Sequence, residues 1–192
     1  MPAIFEKHIK IPLERVGVLI GKGGEVKRRI EEACRVKLEV ESETGNVAIK
    51  LADDPQNSIP FKAAEIVMAI GRGHSPERAF KLLDEGWELR LVDLMEYARS
   101  REDLVRVRAR LIGSQGKARR TIEELTDTYI SIYGDTACIL GEQEHAAIAE
   151  EAVRMLASGS PHASVYSFLQ KRRKRLKFKE LALWEGKVLG EG

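Results

Sequence analysis

Two short glycine loops, Gly21-Lys22-Gly23-Gly24 and Gly113-Ser114-Gln115-Gly116, each set beside basic residues, have the makings of an anion-binding site. Glycine removes side-chain bulk, so a sugar-phosphate chain can lie against the peptide. A helix starting just after the loop offers unpaired N–H groups and a partial positive charge. Lys22, with Lys27 and Arg28 beyond it, supplies point charges for phosphates in the first loop. In the second, Ser114 and Gln115 can donate hydrogen bonds, while Lys117, Arg119 and Arg120 carry the charge. A Gly-x-x-Gly alone is a poor signal, because 16 glycines in 192 residues give about one such pair by chance. Context decides.

That context is an internal repeat. At an offset of 92 residues, Leu19–Glu32 and Leu111–Glu124 share 8 of 14 positions, where chance gives about one. Leu38 and Val40 match Ile130 and Ile132 at the same offset. The period is too long for a solenoid, so two copies of one module are implied. In the first copy, periodicity predicts a strand over 4–11 and a short helix over 13–20. After the loop comes a helix carrying Val26, Ile30 and Cys34 on one face. A hairpin follows, over 37–41 and 47–51 around Thr44-Gly45-Asn46, and then a helix over about 59–71. The second copy repeats the order: an extra helix at 76–83, a strand at 87–94, and helices at 102–112 and 117–125. Strands at 129–133 and 137–140 and a closing helix at 142–157 complete it. A further helix is predicted from His162 to about Lys177.

Both loops therefore lie between two short helices and ahead of a hairpin, with Leu-Ile before the first glycine and basic residues just after the loop. This arrangement resembles the type I KH domain, βααββα, whose GxxG loop clamps about four unpaired nucleotides. The resemblance implies an α+β fold of two type I KH domains. Each would be a three-stranded antiparallel sheet packed on helices, with extra helices in the second module. The expected boundaries are 1–75, 76–160 and a basic C-terminal helix and tail at 161–192. Bases would lie between the pre-loop helix and the first hairpin strand, against Val16, Ile20, Leu38 and Val40 in one copy and Ile112 and Ile130 in the other. The plainer alternative is two helix-turn-helix corners with glycines for packing. Two copies sharing the whole context argue against it.

Over nearly its whole length the chain is similar to the archaeal and eukaryotic KH-domain small-subunit rRNA-processing family, the partner-of-Nob family. The stretches Leu19–Gly24, Arg110–Lys117 and Tyr166-Ser167-Phe168-Leu169 carry the likeness. It implies a non-enzymatic, single-stranded RNA-binding adaptor at the 3′ region of (pre-)16S rRNA, with rRNA and a processing endonuclease or translation factor as partners. Eukaryotic members have a degenerate first loop. Here Gly21-Lys22-Gly23-Gly24 is intact, which leaves open which module grips RNA more tightly. A mainly protein-binding scaffold with one vestigial loop is the alternative.

The net charge of +2 hides a division: +1 over residues 1–75, −4 over 76–160 and +5 over 161–192. The last segment holds Lys171-Arg172-Arg173-Lys174-Arg175, either a solvated helix end or a phosphate contact. Breaks at Gly71–Pro76 and Ser158–Pro161 separate the three, each combining glycine, a serine N-cap and proline. No apolar run approaches the roughly 20 residues of a membrane span, and the first residues lack a secretory pattern. Cys34 and Cys138 are too few for a disulfide framework and suit a reducing, cytoplasmic setting as buried fillers. Gly17–Gly23 imitates a P-loop, but it has one residue too few and no Ser or Thr after the lysine. His8, His74, His145 and His162 show neither metal spacing nor a nucleophile partner, so no cofactor, metal or catalytic constellation is expected.

Overall fold

The computed structural model describes residues 5–52 and 57–189, with side chains through residue 182. Ile4, Asp53-Asp54 and the Trp184 side chain therefore lie outside the described residues. The first module runs β1 (Glu6–Lys10), α1 (Leu13–Ile20), α2 (Glu25–Cys34), β2 (Val36–Val40), β3 (Asn46–Leu51) and α3 (Pro60–Gly71). A short α4 (Pro76–Ala79) continues as a 3-10 turn over Phe80–Leu83, capped by the Ser75 hydroxyl. The second module runs β4 (Trp87–Asp93), α5 (Arg101–Ile112), α6 (Lys117–Thr126), β5 (Tyr129–Tyr133), β6 (Thr136–Glu142) and α7 (Gln143–Ala157). The last helix, α8 (His162–Leu189), outruns its expected end near Lys177, because no proline follows and Gly186 alone does not break it.

Each module has a three-stranded antiparallel sheet, ordered β1-β3-β2 and β4-β6-β5, so the last strand in the chain occupies the centre and β2 and β5 are edges. Registers such as Leu38 with Ile49 and Ile130 with Ile139 put alternate apolar side chains on the helix-facing side. Both α2 and α6 end on a left-handed residue, Arg35 at φ 50° and Asp127 at φ 51°, again 92 residues apart. An arginine on each pre-loop helix reaches the C-terminus of its module's closing helix. Arg15 donates to the carbonyls of Ile70 (2.8 Å) and His74 (2.6 Å). Arg110 donates to those of Leu156 (2.9 Å), Gly159 (2.9 Å) and Ser160 (2.5 Å). These charge-assisted bonds complement the helix dipole and hold the loop-bearing helices in place.

The modules share a core. Central strand β6 is buried on both faces. Ala137 and Ile139 pack with Val107, Leu111, Ile122 and Val153 of their own module. Cys138 and Leu140 join a cluster with Ile66, Ile70, Phe80 and Leu82, which continues into the core of the first module. The outer face of the second sheet is thus covered by the helices that close the first module. Polar contacts fix the seam: buried His74 Nε2 lies 3.0 Å from the Cys138 carbonyl, and Lys62 donates to the Trp87 carbonyl at 3.0 Å. Arg72 pairs with Asp135 at 3.7 Å, and the Tyr133 hydroxyl donates to the Glu14 carboxylate. Trp87 packs here beside Tyr129, with Arg78 4.8 Å above the tyrosine ring. Val165 and Leu169 of α8 are fully buried in the second module's core, so the helix begins as part of that module.

Candidate nucleic-acid interface

The two glycine loops have one backbone conformation. Gly21 and Gly113 both sit at φ 73°, ψ 175°, and end α1 and α5 by donating to Gly17 O (2.9 Å) and Ala109 O (2.8 Å). The third residue is left-handed in each, Gly23 at φ 59°, ψ 22° and Gln115 at φ 51°, ψ 29°. Gly24 (79°, 15°) and Gly116 (76°, 15°) then lead into α2 and α6. The first glycine is a structural requirement. A Cβ on Gly21 would fall 2.5 Å from Val26 Cγ2, and one on Gly113 2.7 Å from both Cβ and N of Ala118. Around Gly23 and Gly24 a Cβ would meet nothing within 4 Å, so their positive φ is what favours glycine there, and the loop stays open to an approach from outside. Gln115 holds a left-handed conformation that costs an ordinary residue roughly 1–2 kcal/mol, strain of the kind that collects at functional sites.

Beyond the loops, neither α2 nor α6 has a side-chain cap; the N–H groups of Glu25 and Lys117 are taken by the carbonyls of Lys22 and Ser114, so what each terminus offers an anion is the positive end of its helix dipole. Lys22, Gly23, Arg28, Ser114, Gln115, Lys117 and Arg120 are exposed around these termini. Copy two places Lys117 at the first helical position where copy one has Glu25, which gives the second terminus the more favourable field for phosphate.

Lys27 and Arg119 are half-buried and face the edge strands instead. Lys27 lies 3.5 Å from Glu31, and Arg119 3.8 Å from Glu123 and 3.1 Å from the Ile130 carbonyl. Each glutamate also accepts from an edge-strand amide, Glu31 from Leu38 N–H at 2.8 Å and Glu123 from Ile130 N–H at 2.7 Å. Sequence reasoning does not place these glutamates in the site. Their identity in both copies, four positions after a cation, is the signal that could have found them. The expected groove also changes: Val16 (4% exposed), Leu38 (1%) and Ile130 (1%) point into the core, because the face that apolar pattern picks out is the packed one. Ile20, Val40 and Ile112 stay partly exposed.

The basic helix is anchored at the second loop. His162 lies 3.0 Å from the Arg110 carbonyl, three residues before Gly113, and α8 then packs along α6 and α7. Of the expected contacts there, Lys171 is exposed, while half-buried Arg172 covers Phe168 at 5.2 Å and pairs with Glu151 at 3.4 Å. Arg173 is half-buried with an unpartnered Nε. Burial pushes the Cys34 thiol up to about 11 and the Cys138 thiol up to about 12, which keeps both protonated and inert. Among the described residues no group of three or more His, Cys, Asp or Glu could hold a metal ion.

Residues 6–79 match the KH domain model, and residues 88–174 match the model of a eukaryotic type KH-domain (KH-domain type I). A KH domain-containing protein of Methanocaldococcus jannaschii is 45% identical over 180 residues, covering 93% of this chain and 79% of the relative. The chain belongs to the two-KH-domain family of Dim2p and pno1. Dim2p of Pyrococcus horikoshii, solved by crystallography, is 44% identical at a TM-score of 0.78, covering 87% of this chain and 99% of Dim2p. The same relative in an a/eIF2alpha-aDim2p-rRNA complex gives 44% identity and 0.82, over 91% and 97% of the two chains. RNA-binding protein pno1 of Dictyostelium discoideum is 27% identical over 173 residues, covering 85% of this chain and 70% of the relative. The second-module model runs on to residue 174, into α8, in keeping with the burial of Val165 and Leu169 in that module.

Proposed function

We propose that this chain is a single-stranded RNA-binding adaptor in small ribosomal subunit assembly. It grips the 3′ region of (pre-)16S rRNA through its glycine loops and performs no chemistry of its own. The observation that carries the reading is the pair of loops with one backbone conformation, the first open around Gly23 and Gly24, the second with Ser114 and Gln115 exposed, and each leading into a helix without a side-chain cap. Such a loop takes the nucleic-acid backbone, and the partly exposed Ile20, Val40 and Ile112 beside the edge strands take the bases. Gly21–Gly24, Lys27 and Arg28 form one contact; Gly113–Lys117, Arg119 and Arg120 form the other, with Lys171, Arg172 and Arg173 on its flank. A relative captured with rRNA and another named a pre-rRNA-processing protein support the choice of RNA. A translation factor fits as the protein partner, since the rRNA complex of the relative also contains a/eIF2alpha. We place the protein in the cytoplasm, where its two buried free thiols stay reduced. Ultraviolet crosslinking in cells, followed by sequencing of the bound RNA, tests the reading. Sites should concentrate at the 3′ end of 16S rRNA and its precursor; an even spread over messenger RNAs would overturn it.

A further inference from the structure

We propose that the outward face of α8 is a further single-stranded RNA contact, in which Phe178 is a base-stacking platform set among lysines. The proposal rests on the RNA-binding reading above and extends it to a surface outside the glycine loops. From Lys171 to Lys179, seven of nine residues are Lys or Arg and none is acidic. Val165 and Leu169, then half-buried Arg172, Arg173 and Leu176, form the docked side of the helix. Two of the cations are engaged there, Arg172 with Glu151 and Lys179 with Glu144. Among the described residues no carboxylate lies within ion-pair distance of Lys171, Lys174, Arg175 or Lys177, and all four are exposed. Phe178 is 76% exposed and Leu181 63%. Helical spacing puts Lys174 and Arg175 one turn before Phe178, on its own face. A bare aromatic ring flanked by free cations is the surface that single-stranded nucleic acid uses: bases stack on the ring, and phosphates meet the charges.

Position selects RNA over an acidic protein as occupant. His162, the first residue of α8, touches the last turn of α5 ahead of Gly113, and the helix then follows α6 away from that loop. At 1.5 Å per residue, Phe178 lies about 24 Å along the helix from His162. A strand held at the second loop can thus be led onto a rail of matching charge without leaving the surface.

The test uses the full chain, a 20-nucleotide RNA with the 3′-terminal sequence of 16S rRNA, and the shortest fragment of that RNA still bound. Phe178→Ala and the pair Lys174→Glu with Lys177→Glu change only exposed positions, and thermal melts will verify that folding is intact. On the long RNA, Phe178→Ala should weaken binding about tenfold or more, while Phe178→Tyr should keep the affinity. The charge pair should lower the salt slope by about 0.7 for each phosphate it no longer neutralises. On the short fragment neither variant should matter. Equal losses on both RNAs, or no loss on the long one, would overturn the proposal; no loss on the long RNA together with lost binding of a poly-glutamate peptide would assign the face to an acidic protein. Ser114→Asp with Gln115→Asp reports separately on the loop reading, because that variant must weaken the short fragment as well.

Discussion

Titrating His74 should loosen the seam between the modules. Its imidazole is 1% exposed, with Nε2 3.0 Å from the Cys138 carbonyl and Nδ1 without a partner. Burial, aided by Arg78, Arg119 and Arg15, pushes its pKa from 6.5 down to about 4. The folded chain therefore takes up this proton only below about pH 4, while the unfolded chain takes it up below about 6.5. Between those values the unfolded state holds more protons, so stability is full above about 6.5 and is lost as pH falls towards 4. A depression of that size is worth about 3 kcal/mol, or roughly 6–12 °C in Tm for a chain of this length. The assay is thermal unfolding of the native chain and of His74→Gln at steps from pH 7 to pH 4. Gln can still donate to the Cys138 carbonyl but does not titrate. The native chain should lose roughly 6–12 °C more than the variant over this interval. Parallel curves would mean that His74 is not held neutral by burial, since carboxylate titrations elsewhere are common to both proteins.

Leu140 is fully buried where the second sheet meets the first module, so Leu140→Ala should cost about 2–5 kcal/mol. Calorimetry should show that loss within one transition for the whole chain; two transitions, only one of them shifted, would mean the modules unfold separately. Gly113→Ala should destabilise by about 2 kcal/mol or more, because positive φ is joined by the close approach to Ala118. Gly134→Ala, at φ 58° in open space, isolates the strain alone and should cost about 1 kcal/mol; denaturant titration of both glycine variants checks the two values. Cys34 and Cys138, raised by burial, should resist a thiol reagent until the chain is unfolded, and rapid labelling of the native protein would contradict their placement.

Local pattern makes some of this legible and hides the rest. The 92-residue offset and the glycines mark both loops, because the loop conformation depends on residues a few positions apart. Alternation marks the strands for the same reason. The run Thr136-Ala-Cys-Ile-Leu-Gly141 does not alternate, a sign of burial on two faces, yet nothing local says that the first module supplies the second cover. Pattern alone assigns Val16, Leu38 and Ile130 to the groove, because an apolar residue beside a loop looks the same whether it lines a surface or fills a core. Depth separates the two, and depth is a tertiary property. Glu31 and Glu123 gain their part in the site only when the fold brings the edge-strand amides to them.

If the paired loops hold RNA, their variants must show it in their affinity for the 20-nucleotide 3′-terminal 16S sequence at two salt concentrations. Lys22→Asp with Gly23→Asp puts two carboxylates where phosphates are to lie, and Ser114→Asp with Gln115→Asp does the same in the second loop. Every phosphate that is no longer neutralised should flatten the salt slope by about 0.7, and the four changes together should weaken binding by about 100-fold or more while the melting curve retains its shape. Unchanged affinity and salt slope in the fourfold variant would contradict the account.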